Sequence, residues 1–100
     1  MSYMAELGIG AAHLIAARYE EALVMTQRGV SRQPGATWGL RQLVTALVHA
    51  GRKEEARRAC DRLLESDPGL TIAKIWDRLP FEAGTRERVA ASLREAGLPE

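Results

Sequence analysis

The 100-residue sequence is poor in several features, and each absence excludes something. A single cysteine, Cys60, rules out an intrachain disulfide. Charge of one sign is missing too. Fourteen Lys and Arg face thirteen Asp and Glu, for a net charge of +1. No run of five like charges makes the basic footprint of a nucleic-acid binder. Long apolar runs are absent: the uncharged stretch from Leu7 to Ala17 contains glycines and His13 and falls short of the roughly 20 apolar residues of a membrane span. The opening Met1-Ser2-Tyr3-Met4-Ala5-Glu6 has neither the basic start nor the apolar core of a signal peptide, so a cytoplasmic setting is expected. No segment sustains the apolar/polar alternation of a half-buried strand.

What is present is enough apolar residue, 46%, to build one small domain over residues 1–100. A chain of this size buries only roughly 60 to 68% of the surface its unfolded form exposes, so a partner or a second copy would add usefully to a thin core.

The chain repeats itself. Displaced by 34 residues, Arg18, Glu20, Glu21 and Ala22 fall on Arg52, Glu54, Glu55 and Ala56, and Pro34-Gly35 on Pro68-Gly69. Ala12, Ala16 and Arg28 likewise meet Ala46, Ala50 and Arg62, while the apolar pairs Ile9/Leu43, Leu14/Val48 and Val30/Leu64 keep step. A period of this length marks stacked supersecondary units.

Each unit reads as a helical hairpin. In the first, a helix over about residues 4–16 and a turn at Ala17-Arg18 lead to a second helix from Tyr19 to Arg32, which Pro34-Gly35 ends. In the second, Leu40, Leu43, Val44 and Leu47 give the i, i+3, i+4, i+7 face of a helix over 37–50. Gly51 caps it, a partner helix runs from Lys53 to Ser66, and Asp67-Pro68-Gly69 closes the unit. The repeats thus span about 3–36 and 37–70. A helix over 71–78 follows, with Ile72, Ile75, Trp76 and Leu79 as its apolar stripe; Leu79-Pro80-Phe81 breaks it. A last helix over about 85–96 turns Val89, Leu93 and Ala96 inward and its arginines outward, with Gly97 as cap, so that 71–97 form a terminal cap.

These residues resemble the tetratricopeptide repeat (TPR) family. The pattern wants a small residue where the helices of a hairpin cross, met by Gly10; a second small residue early in the second helix, met by Ala22 and Ala56; and a terminal proline, met by Pro34 and Pro68. Departures are Glu6 and His13, where the family often has aromatics, and Thr26 and Cys60, where it prefers a large aromatic. The resemblance implies an all-α fold of antiparallel hairpins, two repeats plus a capping helix pair, in a right-handed solenoid. The tail, Asp77 to Phe81 and Leu93 to Glu100, resembles the C-terminal end of TPR regions attached to bacterial class III adenylate or guanylate cyclase-like proteins, which implies a bacterial regulatory setting.

Candidate chemistry is sparse. His13, His49 and Cys60 are the soft metal-ligand types, but they lack CxxC or HxxxH spacing, so no metal is expected. Cys60, mid-helix on a core face, reads as an inert small hydrophobe. Glu20-Glu21 and Glu54-Glu55 lie in first turns, where carboxylates favour the positive end of the helix dipole. Glu54 precedes Arg58 by four residues, the favourable order for a helical ion pair. Gly8 and Gly10 lack the following Lys-Ser or Lys-Thr of a phosphate loop. Gly10 suits close helix packing, and Gly8 calls for another helix approaching it. No nucleophile, base and orienting group come at workable spacing, so neither catalysis nor a cofactor is expected.

In TPR proteins the concave face, built from the first helix of each hairpin, holds partner peptides. The resemblance transfers that role to Met4, Leu7, Ala11, Leu14 and Ile15 in the first unit and to Trp38, Arg41, Gln42, Thr45 and His49 in the second. The Lys and Asn set of chaperone-linked carboxylate clamps is missing. Two readings follow: a module binding a protein segment in that groove, with no role for nucleic acid or membrane, or a homodimer that buries Met4, Leu7, Leu14 and Ile15 against their copies and assembles a larger regulatory protein.

Overall fold

The computed structural model describes residues 1–79 and 82–100; among these there are six helices and no strand. They are α1 (Tyr3–Ile15), α2 (Tyr19–Arg32), α3 (Thr37–His49), α4 (Lys53–Ser66), α5 (Ile72–Trp76) and α6 (Ala83–Ala96). Pro80 and Phe81, where the sequence places its break, lie outside the described residues.

Local chemistry sets the helix ends. The Ser2 side chain caps α1 by accepting from the Ala5 N–H at 3.2 Å. At its other end Ala17 turns left-handed (φ +60°), which lets its N–H donate to the Leu14 carbonyl (3.0 Å) and that of Arg18 to the His13 carbonyl (2.8 Å). The same turn recurs 34 residues later. Gly51 (φ +80°) donates to Val48 at 3.1 Å and Arg52 to Leu47 at 2.9 Å. Both satisfy carbonyls a helix end would otherwise leave bare.

α1 pairs with α2 and α3 with α4, while α3 also lies against α2. Small residues let the backbones approach. A Cβ on Gly10 would stand 2.6 Å from Thr26 Oγ1 and 2.7 Å from Gln42 Nε2. In the space left open, Gln42 Nε2 donates to the Leu7 carbonyl (2.9 Å) and to Thr26 Oγ1 (2.8 Å), tying α1, α2 and α3 at one buried point. Ala22 and Ala56 are fully buried at equivalent places in the two hairpins, whereas Pro34 and Pro68 stand exposed in the closing turns. Glu6 is 2% exposed, and Arg32 Nε donates to it at 2.5 Å, which pairs a charge standing where the second repeat has buried Leu40.

The C-terminal part departs from the helix bounds read from the sequence. α5 is one short turn capped by Thr71, not a helix to residue 78, although Ile72 and Ile75 are buried as its stripe requires. The end of the chain returns to it: the Ile72 N–H donates to the Pro99 carbonyl at 2.8 Å and that of Ala73 to the Glu100 carbonyl at 3.2 Å. α6 begins two residues earlier than expected because Glu82 caps it, accepting from the Gly84 N–H (2.8 Å), the Thr85 N–H (2.7 Å) and the Thr85 hydroxyl (2.6 Å). Those bonds, the Thr85 hydroxyl first, hold the Glu82 carboxyl below its ordinary range.

Two local expectations fail. Nothing lies within 4 Å of a Cβ built on Gly8, so no helix approaches it. Among the described residues Glu54 and Arg58 form no ion pair; Arg52 pairs with Glu55 (3.9 Å) and Lys53 reaches Glu95 on α6 (3.1 Å).

Candidate functional site

The face expected to be an open groove is half covered. α6 lies mainly along α3, so Val89 and Thr85 meet Leu14, Thr45 and His49 rather than only closing the end of the stack. Arg88 fixes this placement. Its guanidinium donates to Tyr19 Oη (2.9 Å), the Ile15 carbonyl (3.3 Å) and Thr85 Oγ1 (3.2 Å), so this arginine turns inward where the sequence reading sends it to water. Beside it the His49 ring stacks on Tyr19, centroids 4.2 Å apart and planes 8° from parallel. Partial burial, then the nearby Arg88 charge, lower the His49 pKa, with Glu95 acting weakly the other way.

What stays open is a cleft of about 380 Å3 between α1, α3, the segment after α5, and α6. Ala11, Leu14, Leu79 and Val89 form its apolar wall, Trp38 stands at its edge, and Arg41, Gln42 and Arg78 supply polar atoms. Trp38 is 39% exposed, unusual for a tryptophan with apolar neighbours to hand. Arg41 is half-buried, and both burial and the charge of Arg78 lower its pKa.

The ten groove positions therefore separate. Ala11, Trp38 and Arg41 line the cleft and are accessible; Leu14 and Gln42 line it from buried positions. Leu7 does not belong to the groove. It is fully buried, inserted between α2 and α3 at two glycines: a Cβ on Gly29 would come within 2.6 Å of it and one on Gly39 within 3.1 Å. Thr45 is buried beneath α6 and donates to the Arg41 carbonyl at 3.1 Å. His49 is exposed but engaged with Tyr19. Met4 (62% exposed) and Ile15 (49%) point to water. Leu7 and Leu14, at 0 and 2% exposure, are thus core, and a dimer contact cannot use them.

Sequence reasoning missed Arg78, Leu79 and Val89 as cleft residues. The helical stripe showed Leu79 and Val89 to be apolar and inward, but nothing in it said that they face α1 and α3. Cys60 lies in the core at 1% exposure, and burial, with Asp61 adding to it, pushes its thiol pKa up, which keeps it protonated and poorly nucleophilic. No group of three His, Cys, Asp or Glu gathers into a metal-binding cluster among the described residues, and none of the described helices is long and apolar enough to cross a membrane.

The profile of the tetratricopeptide repeat matches residues 13–77, which takes in most of the two hairpins and α5 and leaves α6 outside. No curated protein matches the chain, and the tail's likeness to cyclase-like proteins has no counterpart in these comparisons.

Proposed function

Since the chain belongs to the tetratricopeptide repeat family, we propose that it is a non-catalytic interaction module that holds a segment of another protein in the cleft between α1, α3 and α6, in a regulatory, cytoplasmic role. One observation carries this: a preformed cleft, mostly apolar, keeps Trp38 and Arg41 accessible at its edge, and these are residue types that dominate binding energy at interfaces. The test is selection of displayed peptides on the wild type, followed by binding measurements on Trp38→Ala and on an Ala11→Glu variant that places a long charged side chain in the cleft. Enriched peptides that both variants lose support the reading. Failure to enrich, or peptides indifferent to both substitutions, removes it.

A second reading, self-association that assembles a larger regulatory protein, is favoured by the outer face of α1. Met4, Ile9 and Ile15 are exposed there among Ala5, Gly8, Ala12 and Ala16, with no exposed charge on the helix. Thirty-four residues on, the positions equivalent to Ala5, Gly8, Ile9 and Ala12 are Gly39, Gln42, Leu43 and Ala46, all buried in the stack. The face that mates in the second repeat is therefore unmated in the first. Light scattering across a hundredfold concentration range, for wild type and Ile15→Glu, decides it: a dimer that the substitution dissociates supports the reading, and a monomer throughout eliminates it.

A further inference from the structure

Arg41 and Arg78 line the same cleft, and among the described residues no acidic one lines it with them. Neither arginine has an ion-pair partner among the described residues. Arg32, Arg52 and Arg94 pair with Glu6, Glu55 and Glu100; arginines such as Arg57, Arg58 and Arg62 form no ion pair among the described residues but are exposed to water, whereas Arg41 is half-buried. Two guanidiniums held close enough to repel, one half-buried, are a cost that an incoming anion would relieve. The rest of the wall is apolar, with Trp38 at the edge and Leu79 and Val89 within. A free inorganic anion would leave that wall empty; a neutral apolar segment would leave the guanidiniums unanswered.

We infer that the cleft selects a protein segment carrying an acidic side chain next to a bulky apolar one, the carboxylate meeting Arg41 and Arg78 and the apolar group lying against Trp38, Leu79 and Val89. The planar guanidinium donates in a fork that matches a carboxylate, and in a half-enclosed site such bonds are stronger than in open water. The inference rests on the cleft being the binding site.

The experiment separates the two. Two pools of octapeptides, acetylated and amidated to remove terminal charges, carry Leu or Phe at one fixed position and, two residues on, Glu in one pool and Gln in the other. Retention on the immobilised full chain is measured by mass spectrometry. We expect the Glu pool to be retained about ten-fold more than the Gln pool, the size expected of a charge-assisted hydrogen bond. The preference should weaken with salt, vanish in Arg78→Gln, and survive in Arg78→Lys. Arg78 is exposed, so its substitution spares the fold, and a circular-dichroism melt of each variant verifies that. Equal retention of both pools, abolished by Trp38→Ala, overturns the acidic preference and leaves the cleft as a peptide site. Retention of neither pool overturns both.

Discussion

Ala17 occupies the left-handed turn that ends α1, at φ +60°, and the equivalent position in the second repeat is Gly51 at φ +80°. The two turns share their hydrogen bonds, so the first repeat places an alanine where the backbone favours glycine. Left-handed backbone costs an L-residue roughly 1–2 kcal/mol, while glycine's greater freedom in the unfolded chain returns about 0.5–1 kcal/mol of that. Ala17 is exposed, so its methyl contributes little packing. Ala17→Gly should therefore stabilise the fold by roughly 0.5–1 kcal/mol, or about 3–6 °C in a domain of this size. Gly51→Ala should lose a similar amount, because a Cβ there meets nothing within 4 Å and only the backbone resists it. Thermal and urea unfolding followed by circular dichroism reads both. A lower midpoint for Ala17→Gly, or an unchanged one for Gly51→Ala, would refute the claim that backbone conformation governs these turns.

Gly10→Ala should cost about 1–3 kcal/mol, since its Cβ would stand 2.6 Å from Thr26 Oγ1 and 3.3 Å from the Ala22 carbonyl, while Gly8→Ala should gain about 0.5–1 kcal/mol on its open helix face; urea midpoints should move in opposite directions. Gln42→Leu strips the Leu7 carbonyl and the Thr26 hydroxyl of a donor and should cost about 1–3 kcal/mol with an unchanged m-value; a neutral result would mean that water replaces the amide. The folded-state His49 pKa lies below its ordinary 6.5, so the folded state gives up this proton more readily than the unfolded one. Stability should rise with pH as it climbs from the folded value to 6.5 and be independent of this group on either side of that window, and His49→Gln should flatten that part of a profile of urea midpoint against pH.

Where the two repeats agree, the sequence was legible to the residue. α2 and α4 begin at Tyr19 and Lys53 and end at Arg32 and Ser66 as read, because paired acidic first turns and Pro-Gly terminators mark them twice. The burial of Ala22 and Ala56 follows from the same repetition. The candidate site was legible only in part. Periodicity shows which face of a helix is apolar, not which neighbour covers it. Leu7 and Arg41 are equivalent by the repeat, yet one is core and the other lines the cleft, because Gly29 and Gly39 open a slot that only the first of them fills. The path of α6 depends on the pairing of Arg88 with Tyr19, 69 residues apart, which no local pattern announces.

That long-range bond bears on how the fold comes apart. A linear array of repeats melts as a chain of neighbours, free to fray from either end. Here α6 lies on α3, sends Lys53 of α4 a carboxylate, and through Arg88 grips the junction of α1 and α2. The last helix thus fastens the first hairpin, and the array behaves as a loop closed on itself. Fraying at α1 must break contacts made by α6, and loss of α6 must loosen α1. Amide exchange should show the two ends opening together, as one cooperative unit, instead of in graded order along the stack.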